Sequence, residues 1–181
     1  MAEAIVGKIE RKFMAHYIDT AFAKDTTSTV SPSWYRIGED LEEYSVELNP
    51  DTEVVKNILG NTKFNHNGYE PTADADPFYA RVGDPLFVKL QDIVDSRHQG
   101  DQCKTSALEV HLWDNGDTSD TGYSEDKYVA YRQFCYCVPT SYGGDTSGYQ
   151  IPFSVNYVGD RIKGKFQPNS TTGGGTFTPD T

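Results

Sequence analysis

Cysteine is scarce in this chain, with three residues among 181, at positions 103, 135 and 137. An odd number cannot form a closed set of disulfides, and Cys135 and Cys137 are too close along a strand to bridge each other easily. We therefore expect reduced, buried thiols. The sequence also predicts no metal site and no cofactor, because the histidines stand singly, without the paired spacing of zinc ligands: His16, His66, His98 and His111.

Positive charge is in short supply as well. Sixteen lysines and arginines face 27 carboxylates, which gives a formal net charge of -11. A protein that grips DNA through its phosphates needs clustered Lys and Arg, and the one basic stripe is Arg161, Lys163 and Lys165. The charge therefore excludes tight, sequence-independent DNA binding. It suits a surface past which DNA moves without sticking, because like charges repel.

Long apolar runs are absent. The first residues, MAEAIVGKIERKF, carry no uninterrupted apolar stretch after their charges. We therefore expect neither a signal peptide nor a membrane span, and a protein that is made and kept in a cytoplasm.

No catalytic constellation is evident either. The loop DNGDTSDTGYSED offers hard oxygen ligands, but it places Ser119 where an EF-hand has glycine and lacks flanking helices, so a solvated hairpin loop is expected. The stretch GGDTSG at 143–148 has the letters of a serine-protease loop in the wrong order and no partner base. The acidic run is typical of a solvated face rather than of paired catalytic carboxylates, and comprises Glu39, Asp40, Glu42, Glu43 and Glu47.

What the chain does contain is alternation. Strands are predicted near 105–113 and 127–138, and the segment YQIPFSVNYVGDRIKGKFQP at 149–168 predicts a β-hairpin with a turn at Gly159-Asp160 and a basic outer face. A second, acidic hairpin is predicted from Tyr44, Val46 and Leu48, with a turn at 49–51 and a return strand that ends at Gly60.

One helix is predicted at about 84–98, because Asp84 is an apt N-cap, Pro85 an apt first residue and Gly100 a stop. Residues 61–78 show no sustained period, which predicts a long interaction loop. Residues 1–12 are expected to form an N-terminal arm and 169–181 a flexible tail. The order of parts predicts an α+β, mainly β fold: a single domain over 13–168, built as a β-sandwich or barrel flanked by the helix.

These parts, in this order, form a pattern that resembles the major tail protein, or tail tube protein, of long-tailed bacteriophages and related prophages. The likeness covers residues 12–168. It is carried by Arg36-Ile37-Gly38 before the acidic hairpin, by Asn57-Ile58-Leu59-Gly60-Asn61 leading to Gly68-Tyr69-Glu70, and by a closing hairpin in which the Gly159 turn leads to Gly164.

The resemblance implies a structural virion protein with no enzymatic activity, whose subunits form hexameric rings that stack into a hollow tube for DNA delivery. Its partners would be further copies of itself, the tape measure protein, and tail terminator or distal tail proteins, with DNA passing and no membrane involved. We expect it in the virion tail, after synthesis in the host cytoplasm. The acidic residues expected to face the lumen are Glu42, Glu43 and Glu47, and those expected in the loop between subunits or rings are Asn61, Phe64, Tyr69, Glu70 and Phe78.

Two other functions stay open at this point. Trp34, Trp113 and the tyrosines favour a carbohydrate-binding β-sandwich if they form a platform on which sugars stack. A hydrolase would need a constellation that the sequence does not offer.

Overall fold

The computed structural model describes residues 7–24, 30–39, 41, 43–120 and 122–180. Its elements are one α-helix, two short 3-10 helices (Arg11–Phe13 and Gly100–Cys103) and strands throughout. In chain order they are β1 (Met14–Asp19), β2 (Trp34–Ile37), β3 (Val46–Glu47), β4 (Pro50–Lys56), β5 (Thr62–Tyr69), β6 (Thr72–Ala75), α1 (Pro85–Ser96), β7 (Lys104–His111), β8 (Tyr128–Pro139), β9 (Gly143–Asp145), β10 (Gly148–Gln150), β11 (Phe153–Pro168) and β12 (Gly175–Pro179).

The main sheet is antiparallel and has the order β2-β1-β7-β8-β11-β6-β3, with β12 paired to β11. Strand β11 is central to this sheet, because it pairs with three other strands. One edge of β11 pairs with β8 along almost its whole length, while the other pairs first with β6 and then with β12. The sheet is curled, because Tyr17 of β1 and Phe166 of β11 bring their rings to 4.7 Å although two strands separate them in the sheet.

Each face of the sheet carries a hydrophobic core. The helix-side core lies under α1 and includes Ile18, Leu90 and Phe153. The opposite-face core lies inside the curl and includes Tyr17, Trp34 and Phe166. Alternation along each strand sends successive side chains to these two cores, which is the pattern expected of a sheet covered on both faces. The prediction of an α+β, mainly β fold with one short helix is confirmed.

Helix α1 begins as the sequence predicts. The Asp84 carboxylate accepts hydrogen bonds from the backbone N–H of Leu86 at 2.8 Å and of Phe87 at 3.1 Å, and Pro85 is the first helical residue. The helix ends earlier than expected, at Ser96, because Arg97 adopts the left-handed conformation (φ 52°) that closes it. Gly100 instead begins a 3-10 helix.

The predicted hairpin over 149–168 is wrong. Residues 153–168 form one strand, and the register to β8 shifts between Val158 and Ile162. The Gly159-Asp160 pair is thus a bulge rather than a turn, because both halves of the segment find the same partner strand. The basic outer face is also only partly right, since Lys165 is buried.

The predicted acidic hairpin and the loop over 61–78 are wrong as well. Strand β3 pairs with β6, while β4 pairs with β5 in a separate two-stranded sheet. The chain therefore turns at 57–61 rather than at 49–51. The segment expected to be a loop holds β5 and β6. Its glycine, Gly68, has φ +148° and stands beside a register shift between β4 and β5 rather than in a turn.

The sequence predicts an arm at the N-terminal end of the chain and a flexible tail at the C-terminal end. Residues 1–6 of the predicted N-terminal arm lie outside the described residues. The predicted flexible tail contains β12, in which Phe177 stands opposite Phe166. A Cβ on Gly174 would meet the Trp34 carbonyl oxygen at 2.6 Å, so only glycine lets the preceding turn pack on β2.

The cysteines are free and buried, as predicted. A hydrogen bond with Cys137 and burial raise the pKa of the Cys135 thiol, which keeps it protonated and unreactive. Within the ranges that the structure describes, no helix has the length and apolar character required to cross a membrane.

Candidate assembly surface

The hairpin formed by β4 and β5, residues 50–69, is a sheet of its own. Every residue of β4 is exposed, and β5 is exposed at all but two positions. Seven extended residues span roughly 24 Å, so the hairpin is a long projection. A single two-stranded hairpin is marginally stable in water at best, because it has no layer to pack against. This element therefore gains stability from any surface that covers it.

The two faces of the hairpin differ in character. The register places Val54 opposite Phe64, Thr52 opposite His66 and Pro50 opposite Tyr69, all on one face. Phe64 is 65% exposed and the Tyr69 ring packs edge-on against His66 at 4.5 Å. Large apolar side chains that lie together in solvent mark contact sites in soluble proteins. We call this side the apolar face of the hairpin.

The tip of the hairpin, residues 57–61, is a self-contained turn. The Asn57 side-chain oxygen accepts the backbone N–H of Leu59 at 3.0 Å and of Asn61 at 2.9 Å, which fixes the turn locally. Ile58 is fully exposed and Leu59 is 78% exposed. The tip thus presents two aliphatic side chains on a rigid backbone.

A cavity of about 830 Å³ forms an open cleft elsewhere on the surface. It lies between the first 3-10 helix, β1, β2, residues 38–39, 41 and 43–45, and the turn at Thr172 and Gly173. Its apolar lining includes Ile37 and Leu41, which belong to or pack against the helix-side core. We call it the amino-terminal cleft.

Arginines hold the walls of the amino-terminal cleft in place. Arg11 donates to the carbonyl oxygens of Met14 and Tyr44, the latter at 2.9 Å, and so ties the 3-10 helix to the segment that precedes β3. Arg36 donates to the Lys12 carbonyl oxygen at 3.1 Å. These hydrogen bonds involve charged donors, which are the stronger kind, so the cleft is a built feature.

His16 closes the bottom of the cleft, with its ring 4.9 Å from that of Tyr44. Burial, followed by the positive charge of Arg11, lowers its pKa to about 4. The imidazole is therefore neutral at physiological pH.

A charged cluster lies beside His16 on the same sheet face. Glu109 stands opposite His16 in the register and accepts hydrogen bonds from Arg161 and, at 3.0 Å, from His111. Burial of the carboxylate would raise its pKa, but the His111 hydrogen bond and the Arg161 charge lower it overall. The Arg161 guanidinium also lies 4.3 Å from the centre of the Tyr131 ring. The cluster satisfies its own charges and offers no free nucleophile or base.

The acidic loop between β7 and β8 is filled by a cation from the chain itself. Lys165 is 4% exposed, and its Nζ lies 2.9 Å from the Asn115 carbonyl oxygen and 3.4 Å from Asp120 Oδ2. A Cβ on Gly116, which has φ +82°, would lie 1.8 Å from that Nζ. The solvated hairpin loop expected here is thus closed around an internal ammonium group. In the described part of the chain, no group of three His, Cys, Asp or Glu residues is placed to hold a metal ion.

The structure places the predicted acidic residues at the surface. Glu42 lies outside the described residues, whereas Glu43 and Glu47 are exposed. The latter two line a second cavity of about 200 Å³ together with Asp74 and Asp76. Sequence reasoning missed these two partners because they come from β6 and its end, which the predicted loop concealed.

Four of the five residues predicted for the contact loop are exposed. Asn61, Phe64 and Tyr69 lie on the hairpin, and Glu70 lies at its base, where its N–H donates to the Leu48 carbonyl oxygen at 3.2 Å. The prediction for Phe78 is wrong, because its side chain is 3% exposed and packs edge-on against Phe153, with 5.4 Å between the ring centres. Ile58 and Leu59 were not among the predicted contact residues, although two adjacent aliphatics between asparagines are an available signal for an apolar turn.

The two tryptophans do not together form an exposed platform of the kind on which sugars stack. Trp34 is 7% exposed in the opposite-face core. Trp113 is stacked on His111, with 4.6 Å between the ring centres. Neither tryptophan therefore favours carbohydrate binding over assembly.

A scan against protein-family models gives no match, and a search of curated proteins finds no significant relative.

Proposed function

We propose that this protein is the repeating subunit of a phage tail tube, which assembles as stacked hexameric rings around a channel for DNA. Its role is mechanical, with no catalysed reaction. In this proposal it works in the virion tail with the tape measure, tail terminator and distal tail proteins.

The observation that carries the proposal is the isolated β4–β5 hairpin. It places an apolar face and an apolar tip in water, and no strand of the described main sheet pairs with it. A monomeric protein gains nothing from this arrangement, since exposed apolar surface invites association. A subunit that meets another copy buries that surface on assembly. A contact between two different patches propagates into rings or filaments.

The charge supports the same proposal. A net charge of -11 keeps free subunits apart and keeps DNA from adhering to the wall of a channel. In the proposed tube, the exposed Glu43 and Glu47 contribute to that wall. An assembled structure with both carboxylates on the outer surface would contradict this part.

Negative-stain electron microscopy with light scattering over a concentration series tests the proposal directly. We expect rings or hollow tubes with sixfold views from the wild-type chain. A protein that stays monomeric at every concentration would refute it.

The variant Ile58→Asp tests whether the hairpin drives assembly. Burying one isoleucine contributes about 1.5–3 kcal/mol, so we expect the concentration needed for assembly to rise at least about tenfold. Val82→Asp is the matched control. Val82 is as exposed as Ile58 but lies in the turn before α1, so this variant should assemble like wild type.

A further inference from the structure

The chain contains two Asn-Gly pairs, Asn67-Gly68 and Asn115-Gly116. Such pairs can react without an enzyme, because the backbone nitrogen of the second residue can attack the side-chain amide carbon of the asparagine and close a succinimide ring. Glycine permits this attack best, since it has no side chain to shield the nitrogen and its backbone is the most adaptable. In a folded chain, the reaction depends on whether the asparagine can reach the attacking geometry.

The pair Asn67-Gly68 is placed for this reaction. Asp51 stands opposite Gly68 and Thr52 opposite His66, so Asn67 has no residue opposite it and forms a bulge in β5. The Asn67 side chain is exposed. Gly68 has φ +148°, and a Cβ built on it would meet no heavy atom within 4 Å. The bulge thus lies in open surroundings.

The element that carries Asn67 also opens easily. The β4–β5 hairpin is a separate two-stranded sheet, which is marginally stable alone, so its local opening costs little free energy. The Asn67 amide nitrogen donates to Asp51 Oδ2 at 3.1 Å, and this hydrogen bond joins two exposed side chains. Little therefore holds the Asn67 side chain away from the Gly68 nitrogen.

The pair Asn115-Gly116 is held in place instead. The Asn115 amide nitrogen donates to the carbonyl oxygens of Glu125 at 3.1 Å and Lys127 at 2.8 Å. The nitrogen that would have to attack, that of Gly116, donates to Asp114 Oδ1 at 2.8 Å. Reaction at this pair requires that these hydrogen bonds break together.

We propose that Asn67 is a site of spontaneous modification, at which the chain deamidates and the base of the hairpin acquires a second carboxylate beside Asp51. The Gly68 nitrogen attacks Cγ of Asn67 and loses its proton, and the side-chain amide leaves as ammonia. Water then opens the succinimide at either carbonyl, which gives aspartate or isoaspartate. Water is the co-reactant, and no oxidation or reduction takes place.

Both products change the base of the hairpin. The new carboxylate replaces the amide that donated to Asp51, so a hydrogen bond becomes a repulsion between like charges. In isoaspartate the main chain also gains one carbon atom, which disturbs the register of Asp51 with Gly68. The body should be unaffected, because neither hydrophobic core contains a hairpin residue.

Site-resolved mass spectrometry of the full chain tests the site. After incubation at mildly alkaline pH, digestion at acid pH avoids deamidation during the measurement. We expect Asn67 to convert at least about tenfold faster than Asn115, because breaking the extra hydrogen bonds lowers the reactive population of Asn115 by that order. In concentrated guanidinium chloride the two rates should agree within about threefold, since both pairs then lie in unfolded chain.

Two results would overturn the assignment of the site. Equal rates in the folded chain would show that the bulge gives no advantage. A preference for Asn67 that persists in denaturant would show that local sequence, and not the fold, selects the site.

Ammonia release from glutamine variants gives a second readout. Asn67→Gln should remove the fast release, because glutamine would have to close a larger ring that forms much more slowly. The matched variant Asn115→Gln should release ammonia as wild type does. If Asn67→Gln releases ammonia as fast as wild type, the reactive asparagine lies elsewhere and the proposal is wrong.

The variant Asn67→Asp reproduces one product and tests its effect on the hairpin. We expect the backbone amides of residues 50–69 to exchange hydrogen at least about twofold faster than in wild type, because like charges then face each other. Asn169→Asp is the matched control: it adds the same charge outside the hairpin, where Asn169 Oδ1 accepts the Thr171 N–H at 2.9 Å and a carboxylate can do the same. This control should leave exchange in the hairpin unchanged.

Unchanged exchange in Asn67→Asp would refute the proposed effect on the hairpin. The reaction needs no assembly, so each of these measurements can fail while the proposed function stands. A wild-type chain that forms no rings or tubes would refute the proposed function and leave the reaction at Asn67 as it is.

Discussion

At the scale of single residues, His16 couples the fold to pH. Its pKa of about 4 in the folded chain results from burial and from the Arg11 charge, whereas an unfolded histidine titrates near about 6.5. Between these values the unfolded chain binds a proton that the folded chain does not. The free energy of unfolding therefore falls as the pH drops through this window.

We expect this loss to be on the order of 3 kcal/mol between pH 7.5 and 4.5. His16→Gln should remove that slope, because glutamine does not titrate. Urea unfolding at several pH values measures it. Glu109 affects the free energy of unfolding only at lower pH. Its pKa is lowered in the folded chain, so its stabilising contribution is lost only below the usual pKa range of a glutamate. A glutamine variant with the wild-type slope above pH 4.5 would contradict the assignment to His16.

At the scale of elements, the loop between β7 and β8 depends on a residue from β11. Lys165 carries its ammonium group into the loop, where the Asn115 carbonyl and the Asp120 carboxylate receive it. The side chain of Asn115 then holds the far end of the loop by donating to the Lys127 carbonyl oxygen at 2.8 Å. A loop that looks suited to a metal in sequence is organised by an amine in the fold.

Lys165→Met keeps the aliphatic stem and deletes the charge. Hydrogen bonds that involve charged groups contribute about 1.5–3 kcal/mol, and we expect a loss of this size in the free energy of unfolding. Chemical denaturation measures it. Lys163→Met, two residues away at an exposed position, should change stability by no more than about 0.5 kcal/mol. Equal effects of the two substitutions would show that the buried contact is unimportant.

Elements with strong local signals were predictable from sequence, and those set by pairing were not. Helix α1 follows from Asp84 and Pro85, and strands β7 and β8 follow from their alternation. The 149–168 segment misleads because Gly159-Asp160 satisfies the local rules for a turn, while the choice between turn and bulge depends on the distant strand β8. Likewise Phe78 reads as part of a polar loop, and only Phe153, 75 positions later in the chain, explains its burial.

The candidate site likewise has a part that could be predicted from the sequence and a part that could not. Phe64 and Tyr69 could be placed on a contact surface, because aromatic residues in a polar stretch stand out. The amino-terminal cleft could not be predicted, since it is assembled from residues that are distant in sequence: 11–16, 35–39, 41, 43–45 and 172–173. Only the curl of the sheet brings these segments together.

At the scale of the whole molecule, the hairpin is separable from the body. Its base is closed by hydrogen bonds from Glu70 N–H to the carbonyl oxygens of Leu48 and Asn49, so the chain enters and leaves at nearly the same point. The main sheet and both cores contain no hairpin residue. The proposed assembly contacts and the stability of the body thus depend on different parts of the molecule.

Replacing residues 50–69 with Gly-Gly should leave a folded chain that does not assemble. We expect the melting temperature to change by no more than about 3 °C, equivalent to about 1 kcal/mol for a chain of this size. Calorimetry and light scattering on the same sample check both halves. A large fall in melting temperature would show that the hairpin supports the body, and retained tubes would show that it is dispensable for assembly.

Strand β11 has a further consequence for the body. Its first half lines the helix-side core and its second half lines the opposite-face core, and the backbone is bonded to β8 on both sides of the bulge. Opening either core removes hydrogen bonds from the strand that the other core needs. Native-state hydrogen exchange should therefore find one cooperative unit, in which the slowest amides of both cores exchange with the same free energy, rather than two that open independently.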